Sequence, residues 1–541
     1  MQRSVIAAAG LIAACFVASG SLRAQVPTPA PVETPSTLPT PVPEATPTPQ
    51  TAPSPTPPPI VVQPAAAIVA VGSSVQLRIG AIGPLTVNAA NPSLVDVAVD
   101  QSALFVTLTG KAPGTTTVMI TDSRGLSAAV PLRVAYNAGS IAGSVSVRIT
   151  GDPARAEFVR DVAIEVARNA ATARPGAQIV TSAEDLASFK RPLQQDEIVA
   201  LDVPVLIQGE QFLTVQGTTR VYMENMAAPK IMPDSLLVSD YPERLESNGV
   251  LFAADLQRNS PSRFLYFHFN PPGAPERRVV LRAENPSYEP AVVQFITGAG
   301  GAGANEMEVG HDATRNFLVH LTQNEGRVIV IPARTAMNLV EQDMPANAVL
   351  SSLLQLRVLN GATVHLTLFA QDVTDSPQMT IENVQLLEGG HPHARGKYGI
   401  PEFHYSRLWN VDDPYLELSI GQIPLTNDLK GQALAGDYGV LQSFVIKIEN
   451  SSAQPRAVAI YENPRGGRAT GTFLIDGVLV QSHGAPAFSQ YKLRQYIVPA
   501  RGFVRVTIET IPEGGSSYPL RLIFAPDDGS VAPGAPGSPI Y

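Results

Sequence analysis

The sequence predicts a mainly β fold: β-sandwich domains in tandem with one small α+β domain, after a disordered proline-rich linker. Three observations carry this. Apolar residues alternate with polar ones in many short runs, as in Val75, Leu77 and Ile79 between Ser74, Gln76 and Arg78, the period of a half-buried strand. One stretch carries the best helical stripe in the chain. Two stretches of the C-terminal half also repeat each other. Glu284-Asn285-Pro286-Ser287-Tyr288-Glu289-Pro290 returns as Glu449-Asn450-Ser451-Ser452-Ala453-Gln454-Pro455. Each is followed by a matching phrase, Ile331-Pro332-Ala333-Arg334 and Val498-Pro499-Ala500-Arg501, and then by a third echo, Leu368 to Asp372 against Ile523 to Asp527. Landmarks in one order at nearly one spacing argue for duplication of a β-module.

Residues 1–24 read as a secretory signal. Arg3 supplies the charge, Ser4 to Val17 the apolar core, and Leu22-Arg23-Ala24 a small-residue cut site. The core is too short to span a bilayer, so the body is expected to be exported. Cys15 is the single cysteine. Ile12-Ala13-Ala14-Cys15 resembles a lipobox, which implies lipidation at Cys15. The alternative is an ordinary apolar signal residue, which Phe16-Val17-Ala18 and the lone Arg3 favour. Either way the folded part has no disulfide, so burial must hold it, and a cysteine-free exported protein of this size suits bacteria.

Residues 25–60 form the linker. Fourteen of the 33 residues from Pro27 to Pro59 are proline, which predicts an extended polyproline II spacer reaching roughly 100 Å. The whole chain carries a net charge of −9. With Arg3 and Arg23 removed, 36 basic residues face 47 acidic ones, giving −11. Acidity spread without blocks argues against nucleic acid or an anionic membrane as partner.

The first module, 61–136, repeats the alternation at Val95, Val97 and Val99, then Phe105, Thr107 and Thr109, with turns at Gly110 to Gly114 and Asp122 to Gly125. Strands at about 10–12 residue intervals indicate a small sandwich. Asn91-Pro92-Ser93-Leu94-Val95-Asp96-Val97, then Leu108-Thr109-Gly110-Lys111-Ala112-Pro113-Gly114-Thr115-Thr116, resembles the bacterial Ig-like (Big-type) domain. It is also similar to the N-terminal domain of pilus-assembly secretins. The resemblance covers about 75 residues and implies an Ig-like sandwich. In the secretins a ring-forming β-domain follows; none is evident in this sequence.

The second module, 137–235, holds the helical stripe of Val159, Val162, Ala163 and Val166. Asp152 is placed to cap this helix, and Pro153 suits its first turn. With strands before and after, it reads as a small α+β unit. Residues 236–375 and 376–528 are the two sandwich repeats, and 529–541 a disordered tail. The repeated Asn-x-Ser-x-x-Pro is expected to be a hairpin loop. Gly298 to Gly303 reads as a flexible loop, His311-Asp312 as a loop pair without partners, and His268 as a satisfied strand residue.

No catalytic residue or cofactor site is assigned. The sequence has no Gly-x-Ser-x-Gly elbow, His-Glu-x-x-His helix or phosphate loop. His391 and His393 lie at i and i+2, with His404 eleven residues on, and are the weak metal candidates. The bland alternative is an exposed linker. Trp409, the only tryptophan, with Tyr398 and Tyr405, is the weak ligand-binding candidate; core packing explains the same aromatics. The reading is therefore a non-enzymatic, exported bacterial envelope or surface protein, engaged in adhesion or in docking to a secretion or pilus assembly. Its partners are other envelope proteins. The alternative is a polysaccharide-binding protein, and a third reading is a hydrolase with separated carboxylates.

Overall fold

The computed structural model describes residues 57–375, 385–389, 393–427 and 432–529. The signal, Cys15, most of the linker, His391 and all of the tail but Gly529 lie outside the described residues.

The first module is two four-stranded sheets face to face. Its strands are β1 (Val61–Gln63), β2 (Ala67–Ala70), β3 (Ser74–Gly80), β4 (Thr86–Ala89), β5 (Val95–Asp100), β6 (Phe105–Gly110), β7 (Gly114–Thr121) and β8 (Ser127–Ala135). The sheet orders are β1-β3-β6-β5 and β2-β8-β7-β4. Inward residues such as Leu77, Ile79, Val106, Leu108, Val118 and Ile120 are buried between them. Alternation in the sequence becomes two faces because successive side chains of a strand point opposite ways.

Next come β9 (Gly139–Ser140), β10 (Ser144–Thr150), α1 (Ala156–Ala170), β11 (Thr172–Ala173), β12 (Gln178–Val180), β13 (Ile198–Gln208) and β14 (Val215–Asn225). The α1 stripe of Val159, Val162, Ala163 and Val166 is buried. Its start differs from expectation. The N-cap is Arg155, whose side chain makes no cap bond, while Asp152 accepts from Gln195 Nε2 instead. The helix end is served from afar. Glu325 Oε1 accepts from the Arg155 backbone N–H at 2.6 Å, and Glu325 ion-pairs with the Arg155 guanidinium. A negative charge at a helix N-terminus is stabilising wherever in the chain it originates.

That link belongs to a larger one. The third module supplies β15 (Ser235–Ser239), β16 (Gly249–Leu256), β17 (Ser262–Asn270), β18 (Arg277–Glu284), β19 (Ala291–Gly303), α2 (Glu306–Thr322), β20 (Gly326–Ile331), β21 (Ala336–Met344), β22 (Ala348–Asn360) and β23 (Val364–Asp372). A further strand, β24 (Arg395–Tyr398), pairs back onto β15. Strand β10 pairs antiparallel with β20, Ile149 opposite Arg327. The α+β strands and those of the sandwich thus form one ten-stranded sheet, β12-β13-β14-β10-β20-β19-β22-β17-β15-β24. The expected boundary near 235 is therefore crossed by backbone pairing. Strands β16-β23-β18-β21 cover the sandwich half of this sheet, with Phe264, Tyr266, Leu281, Phe295, Leu354 and Leu368 among the buried residues between them.

The fourth module contains β25 (Glu402–Asn410), β26 (Leu416–Ile420), β27 (Leu441–Asn450), β28 (Arg456–Pro464), β29 (Ala469–Ile475), β30 (Val478–Ala485), β31 (Tyr491–Val498), β32 (Gly502–Thr510) and β33 (Leu520–Pro526). Its sheets run β25-β27-β32-β29-β30 and β26-β33-β28-β31.

The Asn-x-Ser corners of the last two modules match bond for bond. Asn285 Nδ2 donates to the carbonyls of Glu289, Ile331 and Pro332 at 2.8, 3.1 and 3.2 Å. Asn450 Nδ2 donates to Gln454, Val498 and Pro499 at 2.8, 3.2 and 3.2 Å. Ser287 and Ser452 each donate their N–H and hydroxyl to the preceding Asn Oδ1. Arg334 and Arg501 both take left-handed backbone, φ 58 and 50°. The third echo does not share this equivalence. Leu368 lies in β23, which pairs with the strand before the corner, whereas Ile523 lies in β33, which pairs with the strand after it. By sheet position β33 corresponds to β22.

Each Asn is a buried clasp from one loop to another. Asn285→Ala and Asn450→Ala are each expected to cost about 2–3 kcal/mol, because three carbonyls lose their donor. Chemical denaturation of each variant measures it. A cost below about 0.5 kcal/mol at either corner would show that the clasp is not structural.

Candidate functional site at the sandwich junction

The last two modules meet through α2, which lies on β19 and against β29. The helix is absent from the sequence-based expectation, which took the Gly298 to Gly303 run for a flexible loop. Those glycines end strand β19, and they are glycine because α2 rests on them. A Cβ on Gly298 would fall 2.1 Å from Phe317 N, and one on Gly300 1.9 Å from Val309 O. The helix had a signal in sequence. Asn305 caps Met307 and Glu308, and Val309, Ala313, Phe317 and Leu321 follow at every fourth position.

On the far side of α2, His311 is buried and partnered, not the loop residue expected. Its Nδ1 lies 3.0 Å from Glu513 Oε2 and its Nε2 3.0 Å from Gln481 Oε1. Glu513 also accepts from the Thr470 hydroxyl, and Thr470 meets Ser516 Oγ at 2.7 Å. Burial pushes the His311 imidazole down, but the Glu513 carboxylate outweighs it and holds the ring above the ordinary histidine value. Close by, Glu462 is fully buried, and neither of its carboxyl oxygens has a hydrogen-bond partner among the described residues. Burial foremost pushes it up to about 8, and the charge of the neighbouring Glu513 adds to this. These groups come from both sandwiches and form one polar core across their junction.

Beside this core opens a hollow of about 540 Å³, lined by Asp240, Glu243, Glu306, His393, Tyr438 and Ser516 among others. Asp240 follows β15, and its N–H donates to Ala394 O at 2.9 Å, which brings His393 alongside. His393 Nδ1 stands 3.2 Å from Asp240 Oδ2, and its Nε2 3.1 Å from Glu243 Oε2. The Asp240 hydrogen bond foremost raises the imidazole above its ordinary value, and the charges of Asp240 and Glu243 add to this. Burial pushes Asp240 up to about 6, with His393 opposing.

Of the metal candidates, His391 lies outside the described residues, and His393 is engaged by Asp240 and Glu243. His404 is exposed on β25 and meets Glu402 at 3.4 Å, while Glu402 is engaged by the buried Arg263 at 2.7 Å. Among the described residues no three His, Cys, Asp or Glu side chains converge as a metal-binding group. Of the aromatic candidates, Trp409 is 3% exposed and packs 6.5 Å from the Phe524 ring, so it offers no platform. Tyr398 is buried, donating to Gln432 O at 3.3 Å. Tyr405 stacks on Phe444 at 5.0 Å. His268 is a strand residue, with Nδ1 2.9 Å from Pro242 O and Nε2 3.2 Å from Ser239 Oγ. Burial pushes it down to about 4. No described helix is long and apolar enough to cross a membrane.

No curated protein matches the chain. Solved structures with similarity include domains 5–6 of the S-layer protein SbsC, at 15% identity over 31% of this chain and 97% of that one, TM-score 0.14. A second is SGBP-B of Bacteroides ovatus in complex with a mixed-linkage heptasaccharide, at 8% identity over 56% and 71%, TM-score 0.13. A third is Lac15 from a marine microbial metagenome, at 11% over 87% and 90%, TM-score 0.10. Likenesses this slight carry no argument about the chain. The first module is different, since its sheets coincide with a family match: residues 68–135 match the family model described as the pilus formation protein N-terminal region.

Proposed function

We propose that this is an exported bacterial envelope or surface protein whose role is structural and non-enzymatic. It docks to a secretion or pilus assembly through its first module, with the later sandwiches as a rigid body behind it. The observation that carries this reading is the pilus formation region at 68–135 and the free edge it presents. Strand β5 ends its sheet, with Asp96, Ala98 and Asp100 exposed, and an exposed strand edge is a ready template for a partner's strand. A non-enzymatic role is supported by the junction's histidines, which are spent on carboxylates: His393 on Asp240 and Glu243, His311 on Glu513. Polysaccharide binding has weaker support, because its tryptophan is in the core. A carboxylate hydrolase has weaker support still, because one histidine bridges Asp240 and Glu243.

A photo-cross-linking amino acid at Ala98 tests the docking in the native envelope. The expected result is a covalent adduct with a secretion or pilus component, with none from the same probe at exposed Arg505 on β32. Equal adducts at both sites, or none at Ala98, would sink the reading.

A further inference from the structure

A second hollow, of about 770 Å³, lies where β25 meets the segment 419–426. Its walls are largely apolar, with Ile400, Phe403, Ile423, Pro424 and Leu425 among them. Ile423, 79% exposed, stands at the rim. Among the described residues one charged side chain lines it, Asp437. Asp437 is 5% exposed and has left-handed backbone, φ 54°. Its Oδ2 accepts from Gly421 N at 3.2 Å and from Gln442 Nε2 at 3.4 Å. Its Oδ1 is buried and unpartnered, and so is Gln442 Oε1.

A buried carboxylate with one oxygen unsatisfied and, among the described residues, no cation beside it is an expensive arrangement unless something completes it. A positively charged donor would complete it, and both orphan oxygens are acceptors that ask for N–H. The walls decide what carries that charge. Among the described lining residues besides Asp437, only Ser419, Gln422, Thr426 and the two tyrosines offer side-chain hydrogen bonds, and Tyr398 has already spent its hydroxyl on Gln432 O. That is too few for a polyhydroxylated sugar but suits a hydrocarbon stem.

We propose that this hollow binds a primary ammonium on an unbranched aliphatic stem, the nitrogen at Asp437 and the stem along Phe403 and Ile423. A free alkylamine and a lysine side chain of a partner share this chemistry. The proposal does not depend on docking through the first module.

Calorimetric titration of the full chain with n-butylamine, with Nα-acetyl-lysine methylamide and with n-butanol tests it. Both amines are expected to bind, with butanol at least about tenfold weaker. Asp437→Asn, a residue that tolerates the left-handed backbone, is expected to weaken both amines by about tenfold or more. A thermal melt checks that it still folds. Phe403→Ala, which leaves the charge, should weaken butylamine severalfold. Burial pushes Asp437 up to about 6, so binding should also weaken between about pH 7.5 and pH 5 as the carboxyl protonates. Tighter binding of the lysine amide assigns a protein partner, and equal binding a free amine. No heat from either amine up to about 10 mM, equal affinity for butanol, or unchanged affinity in folded Asp437→Asn would overturn the proposal.

Discussion

Gly310→Ala is expected to unseat α2 from the second sandwich and to cost on the order of 3 kcal/mol or more. An added Cβ would fall 1.7 Å from the Gly514 carbonyl oxygen and 2.5 Å from its carbon. Both are backbone atoms, so no side-chain rotamer can make room. The helix cannot retreat either, because its other side is seated on Gly298 and Gly300. Residues His311 and Glu513 flank the point of contact, so forcing the backbones apart would also stretch the 3.0 Å pair between them. A control is available in Gly143→Ala, where a Cβ meets nothing within 4 Å. Urea unfolding of the two variants compares them. If Gly310→Ala and Gly143→Ala unfolded at the same midpoint, the junction would not be the close backbone contact described.

Glu462→Gln is expected to stabilise the protein at alkaline pH and to change little in acid. The buried carboxyl is pushed from an ordinary value near 4.5 up to about 8. The native state therefore holds a proton that the unfolded chain releases. Stability from this group is fully present below the unfolded value and is lost as pH rises towards 8. Over that span the loss is on the order of 4 kcal/mol. Glutamine keeps the shape without the charge, so the variant should escape that loss. His311 adds a part in the same direction. Its native value is raised by Glu513, so its contribution is present below the ordinary histidine range and is lost as pH rises through the raised value. The difference in unfolding free energy between variant and wild type, measured from about pH 4 to pH 9, should grow with pH and level off near 8. A difference that stays flat would mean that Glu462 is solvated or paired in solution.

The two predictions concern residues that the sequence, read on its own, passes over. The strands themselves were legible: Leu77 and Ile79 are buried on β3 as their alternation requires, and the α1 stripe faces its sheet. Both signals depend on the geometry of a single element. The Asn285 and Asn450 corners were legible for a related reason, since much of each bonding pattern closes within four residues.

What the chain order could not reveal was chemistry assembled from afar. Asp240 and His393 meet because β24 pairs with β15, and His311 meets Glu513 because α2 docks on the second sandwich. Neither partnership has a local spacing to betray it. The clearest case is the Gly298 to Gly303 run. In isolation glycine implies freedom, whereas against the backbone of α2 it implies close packing of helix on strand. The sequence alone determined which residues form strands, which face of α1 is apolar and where the corners turn, because those follow from periodicity and local hydrogen bonds. Only the tertiary structure decided which charges are buried together and what the glycines are for, because both depend on which backbone lies opposite.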